Sequence, residues 1–157
     1  MADPEVMRYM GGRTRTREET AARIERFIQM FDMDGIGQFA VERKEDGVVL
    51  GRCGILVWET DPWTALAKAE TTKPTETEIG YLLGRLHWGR GYATEAATAV
   101  RDYAQSQLGE ERIIALIHNG NDRSKRVAEK LGMSYEREVQ LNFSRVGLYA
   151  LGKRPAL

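Results

Sequence analysis

The chain has a single cysteine, Cys53, in 157 residues, so no disulfide can form within it. Its only histidines are His87 and His118, too few for a zinc-binding Cys/His cluster. A reducing, cytoplasmic setting is the expectation that fits this cysteine usage. No apolar run approaches the roughly 20 residues that cross a bilayer, and the opening Met1-Ala2-Asp3-Pro4-Glu5-Val6 has no signal-like apolar core, so no membrane partner is expected. An excess of either charge is missing too. Lys+Arg and Asp+Glu number 23 each, which removes the electrostatic footprint of a protein whose main partner is nucleic acid. What remains, 42% hydrophobic and 29% charged residues, describes one compact domain, 1–157, able to bury a core of its own.

Helix signals come first. Asp3-Pro4 reads as an N-cap with proline at the first helical position, and Gly11-Gly12 ends the short helix. Thr16-Arg17-Glu18-Glu19 is a capping box, and Ile24, Phe27, Ile28 and Phe31 fall at i, i+3, i+4, i+7, so a helix over about 17–32 should bury that stripe. Two β-prone runs, 38–43 and 48–58, flank Asp46-Gly47 and predict a hairpin. Residues 59–75, with Pro62, Pro74 and threonines at 60, 64, 71 and 72, read as a long exposed loop.

From there the order is strand 77–83, glycine-rich turn 84–91, helix 92–107, strand 112–118, polar turn 119–122, helix 123–131, and β-prone runs 133–141 and 145–151. The middle of this series is a βαβ unit, so strands 77–83 and 112–118 should run parallel.

The chemistry concentrates in Trp88-Gly89-Arg90-Gly91-Tyr92-Ala93-Thr94-Glu95-Ala96. Two glycines one residue apart, after a strand and opening a helix, can present consecutive backbone N–H groups to an anion at the positive end of the helix dipole. No Gly-Lys-Ser/Thr follows, so this is not a Walker A loop, and Thr94 stands where a dinucleotide fingerprint needs its third glycine.

Three segments in order, Glu78-Ile79-Gly80-Tyr81-Leu82-Leu83, the turn from Trp88 to Ala96, and Asn121-Asp122-Arg123-Ser124 through Gly132-Met133, closely resemble the GNAT N-acetyltransferases. The tryptophan ahead of Gly-x-Gly-Tyr-Ala-Thr-Glu-Ala resembles the branch containing the RimJ/RimL ribosomal-protein N-terminal acetyltransferases. The resemblance implies an α/β (α+β) fold with a mixed, mostly antiparallel central sheet, a splayed parallel strand pair and flanking helices. Acetyl-CoA is the implied cosubstrate. Its pantetheine would add to strand 77–83 through the backbone of Leu82 and Leu83, its pyrophosphate would rest on Gly89, Arg90, Gly91, Ala93 and Thr94, and Asn121 would contact the pantetheine arm. Ser124 is the implied general acid near the sulfur. The acceptor implied is a primary amine of a small molecule, peptide or protein, a protein N-terminus among them, attacked directly in a ternary complex without a covalent acetyl-enzyme. Family members usually carry a strand and a helix ahead of Asp3-Pro4-Glu5, and a chain beginning here is expected to expose a sheet edge and to form a homodimer.

Each assignment has a plainer rival. Ser124 and Asn121 sit where residues cap a first helical turn. Glu78 is the best carboxylate for deprotonating an ammonium, while a solvated glutamate on a strand face is the plainer reading. Tyr81 and Tyr135 read as packing residues and His87 as a surface or packing residue near the turn; Cys53 reads as a buried, inert thiol. Two other functions compete: a non-catalytic acyl-CoA-binding module, and a Rossmann-type nucleotide domain with Glu110 or Glu111 as its ribose contact.

Overall fold

The computed structural model describes residues 3–60, 62–142 and 144–153. Asp3 caps α1 (Pro4–Met7) by accepting the Glu5 N–H at 2.9 Å, and the turn closes with the Gly12 N–H donating to the Met7 carbonyl. The capping box forms as the sequence requires. The Glu19 N–H donates to Thr16 Oγ1 at 3.2 Å and the Thr16 N–H to Glu19 Oε2 at 3.0 Å, opening α2 (Arg17–Asp34). Gly35 closes that helix in the left-handed region at φ 69°, a conformation that glycine adopts without strain.

Strand β1 (Gln38–Glu42) pairs antiparallel with β2 (Val49–Thr60) across the expected Asp46-Gly47 turn. β3 (Trp63–Leu66) folds back on the end of β2, and β4 (Thr75–Leu83) pairs along most of its length. Then follow α3 (Tyr92–Gln107), β5 (Ile113–His118), α4 (Asp122–Lys130), β6 (Ser134–Gln140) and β7 (Arg145–Leu151). The sheet order is β1-β2-β4-β5-β7-β6, with β3 on β2, and every pairing is antiparallel except β4 with β5. This is the mixed sheet with one parallel pair that the resemblance implied.

Register decides which side chains share a face. On β2 and β4, Cys53↔Tyr81 and Ile55↔Ile79 are cross-strand pairs, and this face packs on Ala97 and Ala104 of α3. The pairs Arg52↔Leu82, Gly54↔Gly80 and Leu56↔Glu78 lie on the opposite face, where Leu56 packs on Phe27 and Met30 of α2.

Two expectations fail. The stretch 59–75 is not an open loop: β2 runs on to Thr60, β3 follows, and a 3-10 turn spans Lys68–Glu70. Acceptor side chains hold it down. Glu59 accepts the Thr72 N–H at 2.6 Å, Asp34 accepts the Ala69 N–H at 3.0 Å, and Glu70 accepts the Ala67 N–H at 3.1 Å. Asp61 lies outside the described residues. The apolar stripe of α2 is also only part core. Phe27 and Met30 are buried, whereas Ile24, Ile28 and Phe31 are 53%, 54% and 45% exposed, because the helix rests on the outer part of the sheet. Phe31 packs edge-on against Phe39 of β1 at 5.5 Å.

Candidate active site

β4 and β5 share one residue pair, Glu78↔Ile114, and then separate, so β4 from Ile79 to Leu83 has no pairing on that side. Strand divergence would leave the Leu116 N–H of β5 without a backbone acceptor. Glu78 fills that role: its Oε1 accepts the Leu116 N–H at 3.2 Å and its Oε2 accepts the Trp58 indole N–H at 2.7 Å. The residue is 8% exposed, which corrects the solvated reading. Burial pushes its carboxyl up to about 7, against the opposing pull of the Trp58 indole, the Leu116 N–H and the Arg52 charge. A carboxyl tuned to neutrality is well matched to taking a proton from an ammonium.

Beside Glu78 opens a cleft of about 1480 Å³ that reaches from α1 to α4. Of the residues expected to bind or act on a ligand, all line it except Arg90. The turn before α3 has the geometry that its glycines allow. Gly89 and Gly91 lie at φ 74° and 86°, and a Cβ at either would meet no heavy atom within 4 Å. α3 carries no side-chain cap, so its first N–H groups stay available to an anion.

The indole N–H of Trp88 donates to the Leu83 carbonyl at 2.9 Å, its ring packs with Val6, Met7 and Leu82, and the Arg123 guanidinium lies 4.9 Å over it. A ligand accepting Leu83 as a strand-like partner would have to share that carbonyl or use another group.

Asn121 is the N-cap of α4, its Oδ1 accepting the Ser124 N–H at 3.2 Å. Both Asn121 readings are therefore compatible, since a contact to a ligand would fall to its Nδ2. Ser124 does not cap the helix with its hydroxyl; it faces Tyr81, whose phenol burial pushes up to about 12. Tyr81 thus stays protonated at neutral pH and belongs with Ser124. Because Glu78 and Tyr81 are three apart on one strand, they leave β4 on opposite faces, so the carboxyl and the hydroxyl pair approach the strand gap from its two sides.

Other candidates sort plainly. Cys53 is buried, with its thiol pushed up to about 12 by burial, and so is inert at neutral pH. Tyr135 packs on Tyr149, away from the cleft, while His87 lines it. Glu110 bonds Lys68 and Thr77, which occupies the carboxylate a ribose contact would need. Trp58 and the arginines of the α2 face went unread in the sequence. Their part in the site depends on strand register, which no motif encodes.

The sequence model of the acetyltransferase (GNAT) domain matches residues 1–134. Uncharacterized protein YkkB of Bacillus subtilis is 35% identical over 138 residues, 88% of this chain and 73% of that protein. Uncharacterized N-acetyltransferase p20 of Bacillus licheniformis is 31% identical over 86% of this chain and 70% of its own length. Among solved structures, the acetyltransferase from Agrobacterium tumefaciens superposes with a TM-score of 0.73 at 25% identity, covering 96% of this chain and 80% of that one.

Proposed function

The chain belongs to the acetyltransferase (GNAT) domain family and is an N-acetyltransferase with acetyl-CoA as its cosubstrate; from that premise we propose that it acetylates a primary amine by direct attack in a ternary complex, with Glu78 as base and Ser124 as acid. The observation that carries this reading is the buried Glu78 carboxyl at the strand gap, raised to about 7 and opening on the same cleft as the uncapped start of α3.

Glu78 takes the proton of the incoming ammonium, directly or through one water, which leaves a neutral amine to attack the thioester carbonyl. Ser124, beside Tyr81, gives a proton to the departing thiolate and regains one from the nitrogen, which sheds it as the amide forms. The N–H groups of Gly89, Arg90, Gly91, Ala93 and Thr94 hold the pyrophosphate, and Leu82, Leu83 and Asn121 hold the pantetheine arm. The non-catalytic module is the weaker reading, because the family and the relatives named N-acetyltransferases support an enzyme.

The RimJ/RimL-like branch, and with it a protein N-terminal amine as acceptor, belongs to the same proposal and rests on Trp88 ahead of the turn. So do the single domain, the cytoplasmic setting and a homodimer. The dimer is supported by β1 at the sheet edge beside exposed Ile24, Ile28, Phe31 and Phe39. Among the described residues, no helix is long and apolar enough to cross a membrane.

The test is thiol release from acetyl-CoA against a panel of peptides, amino acids, polyamines and other amines. Release that depends on the amine and is lost in Glu78→Gln supports the assignment, and amine-independent release that survives the substitution overturns it. Light scattering at micromolar concentration tests the dimer, for which a monomer is the refuting result.

A further inference from the structure

On the Glu78 face of the sheet stand three arginines that make no close ion pair with a carboxylate among the described residues, Glu78 acting on Arg52 only at longer range. Arg8, Arg13, Arg26, Arg43 and Arg85 each meet an acid. Arg15, Arg23 and Arg52, all lining the cleft, do not. Arg15 reaches only the Met7 sulfur at 4.0 Å, while the guanidinium groups of Arg23 and Arg52 lie 5.1 and 5.4 Å from the centre of the Phe27 ring. Each of the latter two is held below its ordinary basicity, first by burial and then by a neighbouring arginine, and for Arg52 the Glu78 carboxyl offsets only part of this. Gathering like charges in a partly desolvated cleft is unfavourable unless an anion completes it.

A second observation points the same way. Gln38 accepts from Arg52 through its Oε1, which fixes the amide orientation, and its Nε2 is buried with no partner. That orphaned donor lies 3.7 Å from where a Cβ on Gly80 would stand, and the Glu78 Oε2 lies 3.9 Å from the same point. The missing side chain at Gly80 therefore leaves a space the size of a methyl group, bordered by the Glu78 carboxylate, the Gln38 amide donor and the Leu56 side chain, with Arg52 behind the donor.

Building on the acetyl-transfer reading, we propose that the acceptor is a primary amine carrying its own oxyanion, a carboxylate or a phosphate, which sits on Arg15, Arg23, Arg52 and the Gln38 Nε2 while its nitrogen faces Glu78. The oxyanion satisfies the orphaned donor and neutralises the cluster, and the same field disfavours polycationic acceptors.

The test compares kcat/KM for matched amines: glycine with glycinamide, phosphoethanolamine with ethanolamine, peptides starting with Glu or with Gln, and spermidine. The anionic member should be favoured roughly tenfold to a hundredfold, the worth of a charge-assisted hydrogen bond. Arg52→Met and the more exposed Arg23→Gln should each erase that preference, chiefly through KM. Preference for the carboxylate, phosphate or peptide pair names the source of the oxyanion. Equal use of neutral amines, preference for spermidine, or an unchanged ratio in both variants overturns the inference and leaves acetyl transfer standing. If no amine is acetylated, the reading of the reaction fails, and the anion site is judged separately. Inorganic phosphate added to the CoA-saturated protein should still raise Tm in the wild type and not in Arg23→Gln; no shift in the wild type overturns the site.

Discussion

Replacing Glu78 by Gln separates what this carboxyl does for the fold from what it does for the reaction. Its acidity lies at about 7 in the folded protein against an ordinary 4.5. Below about pH 4.5 it is protonated in both states and favours neither. As pH rises from there to about 7, the unfolded chain ionises while the folded one does not, so stability falls; above about 7 the full difference of roughly 3 kcal/mol is lost. Gln removes that penalty, but one amide oxygen cannot serve both the Trp58 indole and the Leu116 N–H. The donor left facing the NH₂ group costs about 1–3 kcal/mol. The two effects nearly cancel at pH 8, so Tm should hardly move there, whereas at pH 4, where the penalty has almost gone, the variant should be less stable by about 1–3 kcal/mol. Activity has no such compensation. With the base gone, kcat/KM should drop by roughly 10²–10⁴, and the ascending limb centred near pH 7 should disappear. Urea denaturation at the two pH values and a pH–rate profile provide the readout. A variant that keeps kcat/KM within a few-fold, or keeps the pH 7 limb, refutes the assignment of Glu78 as base.

Three further outcomes follow from the geometry. Gly91→Val places a β-branched residue at φ 86° and fills the open space before α3, so the concentration-dependent rise of Tm with CoA should vanish while circular dichroism stays native; a preserved rise refutes the cradle. Ser124→Ala should lower kcat by on the order of 10²-fold with little change in the KM for acetyl-CoA, and Tyr81→Phe should follow it at smaller size, since the Tyr81 phenol faces Ser124; unchanged turnover in both returns the pair to packing. Arg112→Met strands the buried carboxylate of Glu76, which Arg112 meets at 2.9 Å, and should cost about 3–5 kcal/mol, a Tm loss on the order of 10 °C by calorimetry.

The sequence made the local features legible and left the tertiary ones unread. The capping box at Thr16, the Asp46-Gly47 hairpin and the bounds of α3 depend on neighbours in the chain and match the structure. The stretch after Glu59 misled because prolines and threonines suggest an open loop, while what orders it is Asp34, 35 residues from Ala69 in the chain. In α2 the periodicity gave the helix and overstated its buried face, since how much of a stripe is covered depends on how far the sheet extends beneath it. At the site, Ser124 and Asn121 were visible as motif positions. The burial of Glu78 was not, because it follows from Leu56 standing opposite it in register and from Trp58 two residues on.

The parting of β4 and β5 connects these observations. Backbone groups cannot be left unpaired in a buried gap, so a parallel pair that separates needs a substitute acceptor for the inner strand. A carboxylate at Glu78 supplies one to Leu116, and taking that place forces it out of water. Desolvation then raises its proton affinity to the range a base needs near neutrality. An apolar residue at that position would orphan both the Leu116 N–H and the Trp58 indole, and a longer cation would face two donors. The group that makes the gap tolerable to the fold is thus held, by that same role, in the state that the proposed base would need.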